Sequence, residues 1–151
     1  MSFRHAMWTL KSKRHSKNRG HAVVEFLLSI ICLMIVIMWV LQFMLLIYTY
    51  VLLAGAAKEG VRYAVIHGPN NASASGPANV TNVVNTAKNF AGFDGTNCAA
   101  GKPCITVTYP DGTNDLNNRV RVTVSYPFVS LFNFGWTTPT INAAAQGRII
   151  Y

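Results

Sequence analysis

The clearest pattern in the chain is a break in polarity: no charged side chain stands between Phe26 and Ala57, a stretch of 32 residues. Within it, residues 26–48 are interrupted only by the polar atoms of Ser29 and Gln42 and the thiol of Cys32. About 20 apolar residues suffice to cross the hydrocarbon core of a bilayer as a helix, so a transmembrane helix is expected over residues 21–50. A buried core helix is the alternative, but the remaining chain is too small to wrap a helix that is apolar on every side. Farther on the apolar positions become periodic. Ala54, Ala57, Val61, Ala64 and Val65 recur at helix spacing and leave Lys58, Glu59 and Arg62 on other faces. The helix should continue as an extramembrane stem over residues 51–67 and stop near His67-Gly68-Pro69, where glycine and proline end it.

Residues 68–78 are rich in Gly, Pro, Asn, Ser and Ala and read as a flexible surface connection. The exported part is residues 79–151. Val80, Val83, Val84, Ala87, Phe90 and Ala91 keep helical spacing up to Gly92, which predicts a short amphipathic helix. After that the period is two. Ile105, Val107 and Tyr109 share a face, as do Val120, Val122, Val124 and Tyr126, and a weaker third set is Ile141, Ala143, Ala145 and Ile149. Pro110-Asp111-Gly112 and Asn117-Asn118 supply turn chemistry between the first two strands. The expected fold is α+β: a long N-terminal membrane helix continuing into a stem, a short helix, and a small antiparallel sheet of three to four strands. Arg119 and Arg121 project from the opposite face of the second strand, either into solvent or toward a partner. Phe128, Leu131, Phe132, Phe134 and Trp136 make an aromatic-rich loop that either caps the small core or is a subunit contact.

A formal charge of +8 raises the question of nucleic acid. Position answers it. Arg4, Lys11, Lys13, Arg14, Lys17 and Arg19 all precede the apolar block, and without residues 1–20 the net charge falls to +2. The same asymmetry orients the span, because the positive-inside rule leaves a basic N-terminus in the cytoplasm and exports the C-terminal part. A secretory signal has a shorter apolar core and a cut beyond that core. Cys32 lies in the apolar run, whereas Cys98 and Cys104 flank a short polar loop. The last two are either bridged, which fits an oxidising compartment such as a periplasm, or free thiols.

Glu25 stands one residue before the uninterrupted apolar run. A carboxylate at the middle of a span costs about 2.5–3.5 kcal/mol and less at its edge, and such residues are functional candidates. A glutamate at headgroup level, snorkelling to water, is the plain alternative. The sequence Arg19-Gly20-His21-Ala22-Val23-Val24-Glu25-Phe26 sets a glycine after basic residues and a glutamate five positions later. That order resembles the processing site of type IV prepilins, and Glu25-Phe26 is similar to the Glu-aromatic pair of the Flp branch. Ala56-Ala57-Lys58-Glu59-Gly60-Val61-Arg62-Tyr63-Ala64-Val65 resembles the Gly-x-Arg-Tyr-Ala-like run of TadE-like proteins of the tight-adherence (Tad/Flp) system. Read as an ordinary amphipathic helix face, the same run needs no family.

The resemblance implies a pilin-like fold and removal of residues 1–20 as a basic leader. A membrane-embedded prepilin peptidase would cut between Gly20 and His21 on the cytoplasmic side, and Glu25 and Phe26 would act in subunit assembly. The physical need is electrostatic. Cutting creates an α-amino cation at His21, and a buried ion without a partner costs several kcal/mol, so a carboxylate on an adjacent subunit both offsets that cost and sets axial register. His21 departs from the aromatic or methionine first residue usual in the wider family, so cutting is expected and N-methylation is not.

Catalysis needs a nucleophile with a base, paired carboxylates or metal ligands. The exported half offers one histidine, His67, and the aspartates Asp94, Asp111 and Asp115, all in turn-like sequence. No enzyme, metal site, cofactor or small-molecule substrate is expected. The implied partners are the membrane, the prepilin peptidase, other Tad pilins and the inner-membrane assembly platform. The implied location is a bacterial inner membrane with a periplasmic or extracellular C-terminal domain, or the pilus itself. Major Flp subunits are little more than the helix, so the extra domain favours a minor pilin or pseudopilin. From another class, an uncleaved bitopic protein would bind an envelope partner through its exported domain, and Glu25 would only mark the membrane edge.

Overall fold

A computed structural model describes residues 17–131 and 139–150, with 17–19 as backbone only. Helix α1 spans Lys17–Ile66 and helix α2 spans Thr81–Ala91; strands β1, β2 and β3 cover Cys104–Thr108, Arg119–Pro127 and Thr140–Arg148. The chain divides into two compact units, Met1–Leu41 and Gln42–Tyr151. The first is helical throughout its described residues. Its helix begins at Lys17, upstream of the expected start, because nothing in Lys17-Asn18-Arg19-Gly20 breaks a helix and the apolar run behind it lacks proline. Along it Ser29 Oγ donates to Glu25 O at 2.9 Å. The helix thus satisfies that hydroxyl by itself, as an apolar surrounding demands.

The second unit holds the core. The lower part of α1 contributes a face of small residues: Leu53, Ala56, Ala57, Val61 and Ala64 are buried, and so is Gly60. Against it pack Val83, Ala87 and Ala91 of α2, Ile105 of β1, Val120, Val122 and Val124 of β2, and Ala143 of β3 with Ile149 just beyond. The sheet is an antiparallel meander in the order β1-β2-β3. Its inner face is the set of alternating residues expected for all three strands. Among the described residues there is no fourth strand.

Two glycines let the layers close. A Cβ on Gly60 would sit 3.3 Å from both Ala87 Cβ and Val122 Cγ1, where α1, α2 and β2 meet. One on Gly147 would lie 2.6 Å from Val61 Cγ1, so β3 runs with its backbone against α1. The helix ends as expected at Ile66, and two of its last carbonyls are taken up, one by a neighbouring side chain and one by the far end of the chain. His67 Nδ1 donates to Tyr63 O at 2.9 Å, and Ile150 N donates to Val65 O at 3.2 Å.

Details differ from the periodic reading. The buried stripe on α1 is shifted: Ala54 and Val65 are only partly buried, while Leu53 and Ala56 are fully so. Alanine-rich sequence leaves the phase of a helix poorly marked, since small residues fit both core and boundary. Phe90, expected in the core, is 49% exposed; its ring instead lies over Gly55, where a Cβ would come within 2.5 Å of Cε1. The 68–78 connection contains a buried anchor that its composition did not announce. Ser75 is 1% exposed, its N and Oγ donate to His67 O at 2.7 and 3.0 Å, and its carbonyl accepts from Asn114 Nδ2 at 3.0 Å. Of the aromatic-rich loop, Phe128 is buried and Leu131 is 62% exposed; Phe132, Phe134 and Trp136 fall outside the described residues, as does most of the basic leader.

Candidate functional site

The junction singled out in the sequence lies on α1. Gly20, His21, Glu25 and Phe26 are all exposed, Phe26 by 65%. A Cβ on Gly20 would meet nothing within 4 Å, so packing does not require a glycine there. Its effect on the backbone is the opposite of stabilising. Glycine inside a helix costs about 1 kcal/mol relative to alanine, and Gly20 lies within α1. The backbone around Gly20 is therefore easier to unwind than it would be with alanine in its place.

Glu25 comes one turn after His21 and lies on the same side of the helix. Among the described residues its carboxylate has no hydrogen bond or ion pair. Were the chain to begin at His21, Glu25 would fall near the new N-terminus, where the helix dipole favours a carboxylate. All large apolar residues from Val23 to Leu41 that are described as exposed, among them Ile31, Met34, Ile37 and Trp39, surround the helix without a seam of burial. This is a helix long and apolar enough to cross a membrane.

The second motif sorts into separate jobs. Gly60 and Ala64 are core contacts, and Tyr63 stacks on His67 with ring centroids 3.9 Å apart. Arg62 is exposed and reaches Glu59 at 3.6 Å, a surface pair worth little by itself. The run is thus a packing element for the sheet, and a packing reason exists for each of its small residues. In the same unit Cys98 and Cys104 are joined by a disulfide, whereas Cys32 is a free, exposed thiol. The bridge closes the loop that leads into β1.

Of the two arginines on the outer sheet face, Arg119 is engaged. Its Nη2 and Nε donate to the Asp111 carboxylate at 2.6 and 3.1 Å, and its backbone N donates to Asp111 Oδ2 at 2.8 Å. These hydrogen bonds hold the Asp111 carboxyl at about 2, below its ordinary 3.8. Arg121 is exposed and has no such partner among the described residues. Asp94 is also lowered, first by the Thr96 hydroxyl and then by Lys88. Tyr109 moves the other way: burial raises it, only partly opposed by Ser75 alongside, and among the described residues its hydroxyl has no partner of hydrogen-bonding geometry. Among the described residues no three His, Cys, Asp or Glu side chains come together as they would around a metal.

Comparison with family models, with curated proteins and with solved structures gives no match. The functional reading therefore stands on the residues themselves. Sequence reasoning had picked out the junction and the cysteines, but it missed two features. One is the Asp111–Arg119 clasp, for which the turn aspartate ahead of a strand arginine was the available signal. The other is Gln42 Oε1, which accepts from Leu131 N at 3.3 Å across 89 positions; the polar atom inside an apolar run was its only mark.

Proposed function

We propose that this chain is a TadE-like minor pilin or pseudopilin. In this reading a prepilin peptidase removes residues 1–20. The helix holds the product in a bacterial inner membrane with residues 79–151 outside the cytoplasm, and the subunit takes part in assembling a Tad/Flp type IV pilus used in adherence or secretion. One observation supports it above the others. An exposed carboxylate with no partner among the described residues, Glu25, heads an exposed apolar helix, five positions after a glycine that is preceded by basic residues. Such a group raises the cost of membrane residence unless something in the assembled state uses it. The amine that cutting would create at His21 of a neighbouring subunit is the natural counter-charge.

The alternative, an uncleaved bitopic protein that binds an envelope partner, draws on the helix running unbroken through Gly20 from Lys17. Producing the full chain with and without an active prepilin peptidase separates the two. The first reading requires a shorter membrane form only when the peptidase is present, and requires that Gly20→Leu abolish it. A single full-length form under both conditions supports the second.

A further inference from the structure

We infer that the chain touches the bilayer at a second place, the end of β2 and the turn after it at residues 128–131. Val129 and Leu131 enter the outer interfacial layer beside α1. The inference rests on the reading that α1 spans a membrane, and it adds a surface that this reading does not contain. The two groups that fix its level are both in the second unit. Leu131 N donates to Gln42 Oε1 at 3.3 Å, and Gln42, Leu46 and Thr49, at spacings of four and three, are the partly buried positions on an otherwise exposed stretch of helix. The loop is therefore seated along this side of α1.

That side belongs to the apolar run. If about 20 residues fill the hydrocarbon core, a span counted from Phe26 ends at Leu45 and one counted from Gly20 ends at Trp39. Gln42 falls between these limits, so under either count the seat of the loop is at the outer boundary of the core. The side chains presented there suit lipid. Val129 is 73% exposed and Leu131 62%, and at the same level Met44 and Tyr48, on the side of the helix away from Gln42, are 66% and 67% exposed. Phe128 is 6% exposed, so the turn has one buried side chain, and its N donates to Pro139 O at 2.9 Å. No Asp, Glu, Lys or Arg occurs in sequence between Arg121 and Arg148, so no charge has to be dehydrated for the loop to enter.

The Gln42 contact acquires a reason in this setting. A side-chain carbonyl near hydrocarbon needs a donor, and an exposed loop N–H needs an acceptor. Each supplies the other. An apolar pair held at the headgroup boundary is the arrangement that interfacial segments use to grip a bilayer, and here it would fix the domain to the membrane surface until the subunit leaves the bilayer.

The test uses the full chain with Cys32→Ser, reconstituted in phosphatidylcholine–phosphatidylglycerol vesicles, carrying a bimane on Val129→Cys or Leu131→Cys. Both sites are exposed, so the fold tolerates the label. Parallel samples are labelled at Ile37→Cys within the span and at Arg121→Cys on the polar sheet face. Quenching by lipid brominated on its acyl chains is compared with quenching by aqueous iodide. The expected result is bromolipid quenching at 129 and 131 severalfold above that at 121, with iodide quenching correspondingly lower. Iodide quenching at 129 and 131 equal to that at 121, with strong bromolipid quenching at 37, overturns the second contact and leaves the span intact. Protection of 129 and 131 from both quenchers also overturns it, because another protein surface then covers them. Absence of bromolipid quenching at 37 itself removes the span reading.

Discussion

Arg119 and Arg148 stand opposite each other on β2 and β3, and like charges facing across a pair of strands destabilise it. Each is drawn off by a turn residue. Asp111 takes Arg119 through paired hydrogen bonds, and Asn117 accepts from Arg148 Nη1 through both its carbonyl and its side chain, at 3.2 and 3.1 Å. Asn117 does so with φ at 70°, a left-handed conformation that asparagine tolerates better than most residues. Because the folded state lowers the Asp111 carboxyl to about 2 from 3.8, it binds a proton less readily folded than unfolded. Its contribution to stability is complete above the unfolded value and is lost as pH falls through about 2. Denaturant titrations of the detergent-solubilised chain between pH 5 and pH 2 should therefore show a smaller acid loss for Asp111→Asn than for the parent, in the range of a surface pair screened by solvent. An identical pH profile for the two would remove the clasp from the account. At Glu25 the expectation is different in kind. If the proposed pilin role holds, Glu25→Leu should leave membrane insertion intact, yet weaken association with other pilus subunits by the ~3–5 kcal/mol cost of a buried ion left without its partner, seen as loss of co-purification. Unchanged co-purification and piliation would mean that Glu25 does no more than mark the membrane edge.

Elements were legible where one period dominated. The charge-free run, the stem, α2 and the alternation of the strands each announce themselves locally, and the Pro110-Asp111-Gly112 turn is made as its residues suggest, with Gly112 N donating to Tyr109 O at 3.0 Å and φ at Gly112 of 82°. What escaped was set by topology. Ser75 is buried because Asn114, 39 positions away, reaches its carbonyl, and no local pattern encodes that meeting. The glycines of the interfaces were equally silent, since their role is to admit a neighbour. Gly147→Val should push Val61 and Val65 off the back of β3 and cost about 1–3 kcal/mol as overpacking, read as a lowered thermal midpoint; Ala144→Val, on the exposed face of the same strand, is the matched substitution that should be tolerated. A Gly147→Val chain as stable as the parent would show that β3 does not lie against α1. Reduction of the Cys98–Cys104 bridge removes a short ring, and on the chain-entropy model the loss is about 2 kcal/mol. Melting with and without reductant measures it directly.

For the whole molecule the charge tells most. Six of the eight net positive charges precede the apolar run, so one feature accounts for the high pI and underlies both the proposed orientation of the helix and the proposed leader. The candidate site was readable to that extent because ordering along a chain survives without a structure. Its proposed partners were not, because a counter-charge for Glu25 on another subunit leaves no mark in this chain's own sequence. The central claim is that the leader is removed at Gly20. It is tested most directly by sequencing the N-terminus of the membrane-extracted protein from cells with an active prepilin peptidase: a chain beginning at His21 is predicted, and one still beginning at or near Met1 would contradict the account.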